Sequence, residues 1–177
     1  ALRGQMGYVP QKAFLFSGTV ESNVAYSNEG MGAESVSRAL EIAQAADFVA
    51  EMPEGAASSI SQGGTNVSGG QRQRLAIARA LAMPARAFVF DDSFSALDFK
   101  TDAALRLELA EKLAGRTVVI VAQRISTIMH ADTIVVLDDG RVCGVGTHDE
   151  LMETCDEYRE IALSQLSEEE LKGGDAR

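Results

Sequence analysis

Ser68-Gly69-Gly70-Gln71 is a stretch that can present bare backbone amides at the start of a helix. Serine is a good N-cap, and two glycines leave the N–H groups behind it uncovered. Uncovered amides and the helix dipole together suit an anion such as a phosphate. A plain helix cap behind a flexible loop is the commoner use of Ser-Gly-Gly, and these residues alone leave both open. A second chemistry is offered by Asp91-Asp92, which close the apolar run 87–90. One carboxylate at a strand end can hold Mg2+, and a second can act as base for an attacking water. A solvated strand end is the alternative. Gln11 carries a neutral amide oxygen that a metal ion or its water can use, although an isolated loop glutamine is ordinarily surface. Asp98 taken alone suits a helix cap. His130 and His148 have no partner at ligand spacing and read as surface histidines. Cys143 and Cys155 lie in unrelated contexts without CxxC spacing and read as two separate reduced thiols.

The elements that must position these groups are visible in the hydrophobic pattern. Residues 6–9 form a short apolar run stopped by Pro10, and residues 13–33 read as loops with one short helix. Val36, Leu40, Ala43 and Ala46 recur at helical spacing, which predicts a helix over 33–52 ended by Pro53-Glu54-Gly55. Residues 55–67, rich in Gly, Ser and Thr, predict a loop. Ser68 then opens a helix that Met83-Pro84 closes, with Arg72, Arg74 and Arg79 set against Leu75, Ile77, Ala78 and Leu81. Residues 85–91 and 117–122 predict buried strands, separated by a helix over 100–114 that Gly115 stops. A short helix through Met129 follows. Asp138-Asp139-Gly140 between two apolar runs predicts a hairpin. Thr147-His148-Asp149-Glu150 is a capping box ahead of a final helix, and residues 164–177 predict a frayed polar tail. Buried strands alternating with helices imply an α/β layer with a mainly parallel sheet. Ligands of such sheets lie at the carboxyl ends of the strands.

Bulk composition narrows the function classes. A net charge of −10 disfavours a general nucleic-acid binder, so any phosphate site must be local. The longest apolar runs are strand-sized, far from the roughly 18 residues of a membrane span. Residues 1–15 lack a signal-peptide pattern. The chain opens at Ala1 on a strand-like stretch, which predicts a piece of a larger polypeptide.

Residues 68–81, Ser-Gly-Gly-Gln-Arg-Gln-Arg-Leu-Ala-Ile-Ala-Arg-Ala-Leu, resemble the signature motif of ABC ATPases along their whole length. Residues 88–92 with Ser95-Ala96-Leu97-Asp98 resemble the Walker B segment and D-loop of that family. Residues 8–11 followed by 14–19 resemble its Q-loop in exporter-type domains, and residues 119–126 its switch strand and loop. The resemblance covers residues 4–165. It implies an ABC-type P-loop NTPase, a RecA-like α/β core with a parallel sheet and an inserted helical subdomain. The implied division is a Q-loop strand and loop at 1–12, a helical subdomain at 13–83, the α/β part at 84–165 and a tail at 166–177. It further implies ATP and Mg2+ as cofactors. Asp91 and Gln11 would serve Mg2+, with Asp92 and Gln123 catalytic and Asp98 in the D-loop. Ser68, Gly69, Gly70 and Gln71 would contact ATP held by an opposite subunit. The implied partners are a second nucleotide-binding domain and a transmembrane domain met by residues near 13–26. The implied location is the cytoplasmic face of the cell membrane, with no nucleic acid bound.

Departures from the pattern refine the expectation. No GxxxxGK[ST] occurs in the sequence, so the chain reads as the C-terminal two-thirds of the domain. On this reading the N-terminal Walker A portion is absent and ATP binds poorly to the chain alone. Asp92 stands where the family usually has Glu. The shorter side chain withdraws its carboxylate by about 1.5 Å, and a misplacement near 1 Å can cost on the order of 100-fold in rate. Gln123 stands where the family usually has His; it can hydrogen-bond a phosphate but not become a cation near neutral pH. Gln62 replaces the Glu that many exporters carry before the signature. These changes resemble the slow, degenerate half of a heterodimeric exporter, whose signature completes the partner's competent site. A soluble ABC ATPase acting on DNA or ribosomes, and a nucleotide-gated subunit without hydrolysis, are the rival readings.

Overall fold

The computed structural model describes residues 2–27 and 30–166, which fall into two compact units, residues 1–121 and 122–177. The first unit begins with β1 (Met6–Val9), β2 (Gly18–Thr19) and α1 (Val20–Val24). It continues with α2 (Ala33–Ile42), α3 (Ala46–Ala50), β3 (Ser59–Ile60) and α4 (Gly69–Leu81), and closes with β4 (Ala87–Asp91), α5 (Phe99–Lys112) and β5 (Thr117–Val121). Strands β1, β4 and β5 form a parallel sheet in the order β1-β4-β5, as the alternation of apolar strands and helices predicts.

Central β4 carries the core, with Phe88 and Phe90 wholly buried. Its neighbour β1 contributes Gly7 opposite Phe88. A Cβ there would lie 2.5 Å from Phe88 Cδ1, so glycine is what lets the ring fill this space. The expectation that β5 is buried is wrong. Val118, Val119 and Val121 are all exposed, because among the described residues β5 is paired on one side only, to β4. An apolar run records a preference for burial, and nothing in it shows whether a neighbour is present to provide it.

The helix predicted over 33–52 is two helices. The chain breaks at Gln44, whose φ of 55° lies in the left-handed region. Arg74 braces the break by donating to the Gln44 carbonyl and lying 4.7 Å over the Phe48 ring. The apolar spacing runs through the break because Val36, Leu40, Ala43, Ala45, Phe48 and Val49 all face one core. Strand β3, within the predicted loop 55–67, pairs antiparallel with β2 over two residues each, too short to leave a periodic signal.

Residues 6–19 also correct the expectation of an absent phosphate-loop portion. Strand β1 leads through a loop to Thr19, which caps α1 by accepting from the Ser22 amide. This strand–loop–helix order is P-loop-like, so an absent N-terminal Walker A portion is not supported.

The second unit holds α6 (Ile125–Ile128), β6 (Ile134–Asp138), β7 (Arg141–Gly146), α7 (His148–Thr154) and α8 (Asp156–Gln165). Asp139 and Gly140 both have positive φ, 43° and 75°, the conformation that makes Asp-Gly a tight hairpin turn. Val136 pairs with Gly144 and Leu137 with Val142, which leaves Cys143 as the extra residue of a β-bulge. Thr147 and Glu150 form the predicted capping box. The single final helix predicted there is divided at Cys155, whose backbone is extended. A separate core of Ile125, Ile134, Val136, Leu151, Cys155, Tyr158, Ala162 and Leu166 holds this unit together. Helix α8 continues through Gln165, and the remainder of the predicted tail lies outside the described residues.

Candidate functional site

Parallel pairing of β1 with β4 brings the carboxyl ends of both strands together, and the first group of candidate residues meets there. Gln11 Nε2 donates to Asp92 Oδ2 at 3.2 Å, and Tyr8 Oη donates to Asp91 Oδ2 at 3.1 Å. The hydrogen bond to the Asp91 carboxylate holds the Tyr8 hydroxyl above its ordinary pKa, so it remains a donor near neutral pH. Buried Ser93 donates to the carbonyl of Val9, at 3.1 Å, and locks the two strand ends to each other. Asp92 has φ 43° while its amide donates to the Val121 carbonyl at 2.9 Å. A non-glycine residue in this region is strained, and such strain concentrates at functional sites.

The second group lies at the start of α4. Ser68 Oγ accepts from the Gln71 amide at 3.2 Å, and Gln71 Oε1 accepts from the Ser68 amide at 2.9 Å. Ser68 and Gly69 are exposed, and a Cβ built on Gly69 would meet nothing within 4 Å. Gly70 differs: its Cβ would lie 3.3 Å from the Ala96 carbonyl oxygen, so the turn after β4 closes against the α4 start. Asp98 caps α5, accepting from the Thr101 amide at 3.0 Å and from Thr101 Oγ1 at 2.7 Å. Those bonds, the amide first, hold the Asp98 carboxyl below its ordinary pKa.

Gln123 belongs to the second unit, where its carbonyl accepts from Gln165 Nε2 at 2.8 Å. Gln165 Oε1 also accepts from the Ile125 amide at 2.9 Å. One side chain of α8 thereby clamps the 123–125 loop, a role no local pattern in the sequence signals. Arg79 is another residue whose role sequence reasoning missed. Its guanidinium donates to the carbonyls of Asn23 and Phe14 and lies over the Phe16 and Tyr26 rings. Burial pushes its pKa down from the usual arginine value. Gln62 Oε1 accepts from the Ser17 amide at 3.0 Å, so it supports the same 13–26 segment. In that segment Phe14 and Tyr26 are exposed, and Tyr26 stacks on Phe16 at 4.3 Å.

His148 and the two cysteines depart from expectation, whereas His130 does not. His148 is half-buried, with Nδ1 2.8 Å from the Tyr158 hydroxyl, while His130 is exposed. Cys143 and Cys155, read from the sequence as unrelated, stand side by side with Glu157.

A parallel sheet with paired carboxylates at its strand end, beside a glycine-opened helix start, defines a nucleotide-handling α/β protein. The sequence pattern of the ABC transporter family matches residues 1–95, and the chain belongs to that family. This match begins at the first residue and overturns the reading of the chain as the C-terminal two-thirds only. An uncharacterized ABC transporter ATP-binding protein of Mycobacterium tuberculosis is 44% identical over 163 residues, 90% of this chain and 28% of that protein. The ATP-dependent lipid A-core flippase of Photobacterium profundum is 40% identical over 168 residues, 94% of this chain and 29% of the flippase. The solved structure of a bacterial Atm1-family ABC exporter with ATP bound superimposes with a TM-score of 0.89 at 37% identity. That superposition covers 94% of this chain and 29% of the exporter. The chain thus spans less than a third of the length of these relatives. No helix among the described residues is long and apolar enough to cross a membrane.

Proposed function

We propose that the chain is the ATP-binding motor part of an ABC exporter, in which ATP binding and hydrolysis drive export across a membrane. The observation that carries this reading is the exposed Ser68-Gly69 turn at the capped start of α4, where a Cβ built on Gly69 would meet nothing within 4 Å. A phosphate of ATP held by a second nucleotide-binding domain suits that turn. The carboxylates of Asp91 and Asp92, linked to Tyr8 and Gln11, are a hard-oxygen donor set that fits Mg2+. Asp91 and Gln11 would hold the ion, and when bound it would neutralise charge on the phosphates. In this reading residues 13–83 form the helical subdomain and 84–165 the α/β part. The exposed rings of Phe14 and Tyr26 support a transmembrane partner at residues 13–26. The working location is the cytoplasmic face of the cell membrane.

The finer proposal is that Asp92 and Gln123 belong to a slow site, paired with a different half-transporter whose competent site is completed by residues 68–71. Asp92 orients water from a retracted position, and Gln123 offers a neutral amide in place of a cation. In the intact transporter with its partner, Gly69→Asp puts a negative charge where phosphate would sit, at a position with room for a side chain. ATP turnover should collapse while the protein stays folded; full turnover would sink the motor reading. Asp92→Glu combined with Gln123→His should raise turnover, and an unaltered rate would remove the slow-site proposal alone.

A further inference from the structure

Cys143 and Cys155 are brought together by two irregularities of the second unit. As the extra residue of the β7 bulge, Cys143 escapes the alternation of the strand, and bulges re-aim side chains in this way. Cys155 is buried at the extended joint between α7 and α8. Gly144 makes the approach possible, since a Cβ there would stand 2.9 Å from Cys155 Sγ and 2.8 Å from Leu151. Glu157, in the first turn of α8, directs its carboxylate at the same point. The two Sγ atoms and a Glu157 carboxylate oxygen all lie within 4.8 Å of one another.

We propose that Cys143, Cys155 and Glu157 form a binding site for a single thiophilic divalent cation, Zn2+ being the best fit. Tetrahedral Zn2+, with Zn–S near 2.3 Å and Zn–O near 2.1 Å, sets a sulfur and an oxygen ligand about 3.5 Å apart. Cys155 Sγ and Glu157 Oε2 are 3.5 Å apart. Two sulfur ligands select against Mg2+ and Ca2+, which prefer all-oxygen sets. On binding, each thiol loses its S–H proton to solvent and each thiolate donates a lone pair to the metal. The Glu157 carboxylate gives a third bond, and water completes the fourth position. Such a cation would fasten the β7 bulge to the α7–α8 joint. This site uses none of the residues assigned to the nucleotide and does not rest on the function proposed above.

The test uses the reduced 177-residue chain, with Zn2+ and Co2+ as the probes. Co2+ should produce thiolate-to-metal charge-transfer absorption, and Zn2+ should displace it at a single equivalent and protect both thiols from alkylation. Cys143 is exposed, so Cys143→Ser should leave the circular dichroism unchanged. It should weaken Zn2+ binding by more than the roughly 100-fold that bounds the loss of a mere supporting residue. Glu157→Gln should weaken it in the same direction. Absence of the charge-transfer band, or wild-type affinity in Cys143→Ser, overturns the proposal. So does peroxide closing a Cys143–Cys155 disulfide as fast with saturating Zn2+ as without it, since that pair would then be a redox couple.

Discussion

Gly7 and Asp98 show how much a single residue decides here. Replacing Gly7 with Ala forces a Cβ into the Phe88 ring in the middle of the parallel sheet. Overpacking of this kind costs about 1–3 kcal/mol, read as a lowered urea midpoint at unchanged slope. Asp98 carries a pH dependence. Its folded-state pKa is depressed by the Thr101 bonds, so its contribution to stability is present above the unfolded value. That contribution is lost as pH falls through the depressed folded value. The melting temperature should therefore fall on the acid side in the wild type and fall less in Asp98→Asn, which keeps a capping side chain without the charge. The capping role of Asp98 was legible from its type and place before a helical pattern. The Tyr8–Asp91 bond was not, because it depends on the register between strands 83 positions apart in sequence.

Among the elements, α4 is the one on which most of the site rests. Its start was readable because Ser-Gly-Gly states the cap and the open amides, whereas the reciprocal bond of Gln71 to the Ser68 amide was not read from the sequence. Ser68→Ala removes the cap and should cost about 1 kcal/mol, measured by thermal unfolding. The far end of the same helix holds Arg79, and Arg79→Ala leaves the Phe14 and Asn23 carbonyls without this donor. Charge-assisted bonds of that kind are worth about 1.5–3 kcal/mol each, so this variant should be the more destabilised of the two. An arginine's partners sit on other segments, and helical periodicity says only that it lies off the apolar stripe. The break between α2 and α3 was hidden for a related reason: both helices keep one apolar face, so the period survives the turn at Gln44.

At the scale of the whole molecule, the described residues hold two hydrophobic cores with no member in common, one per compact unit. Leu151→Ala empties space in the second core alone and should cost roughly 2–5 kcal/mol there. Hydrogen exchange should then quicken in β6, β7, α7 and α8 while the amides of β4 keep their protection. Equal loss of protection throughout would mean the cores unfold as one. The sheet of the first unit has a further consequence. Strand β5, with three exposed valines and, among the described residues, a neighbouring strand on one side only, is a template onto which another chain can add a strand. Concentrated solutions of this polypeptide should accordingly turn turbid on standing, and a lysine in place of Val119 should delay the clouding.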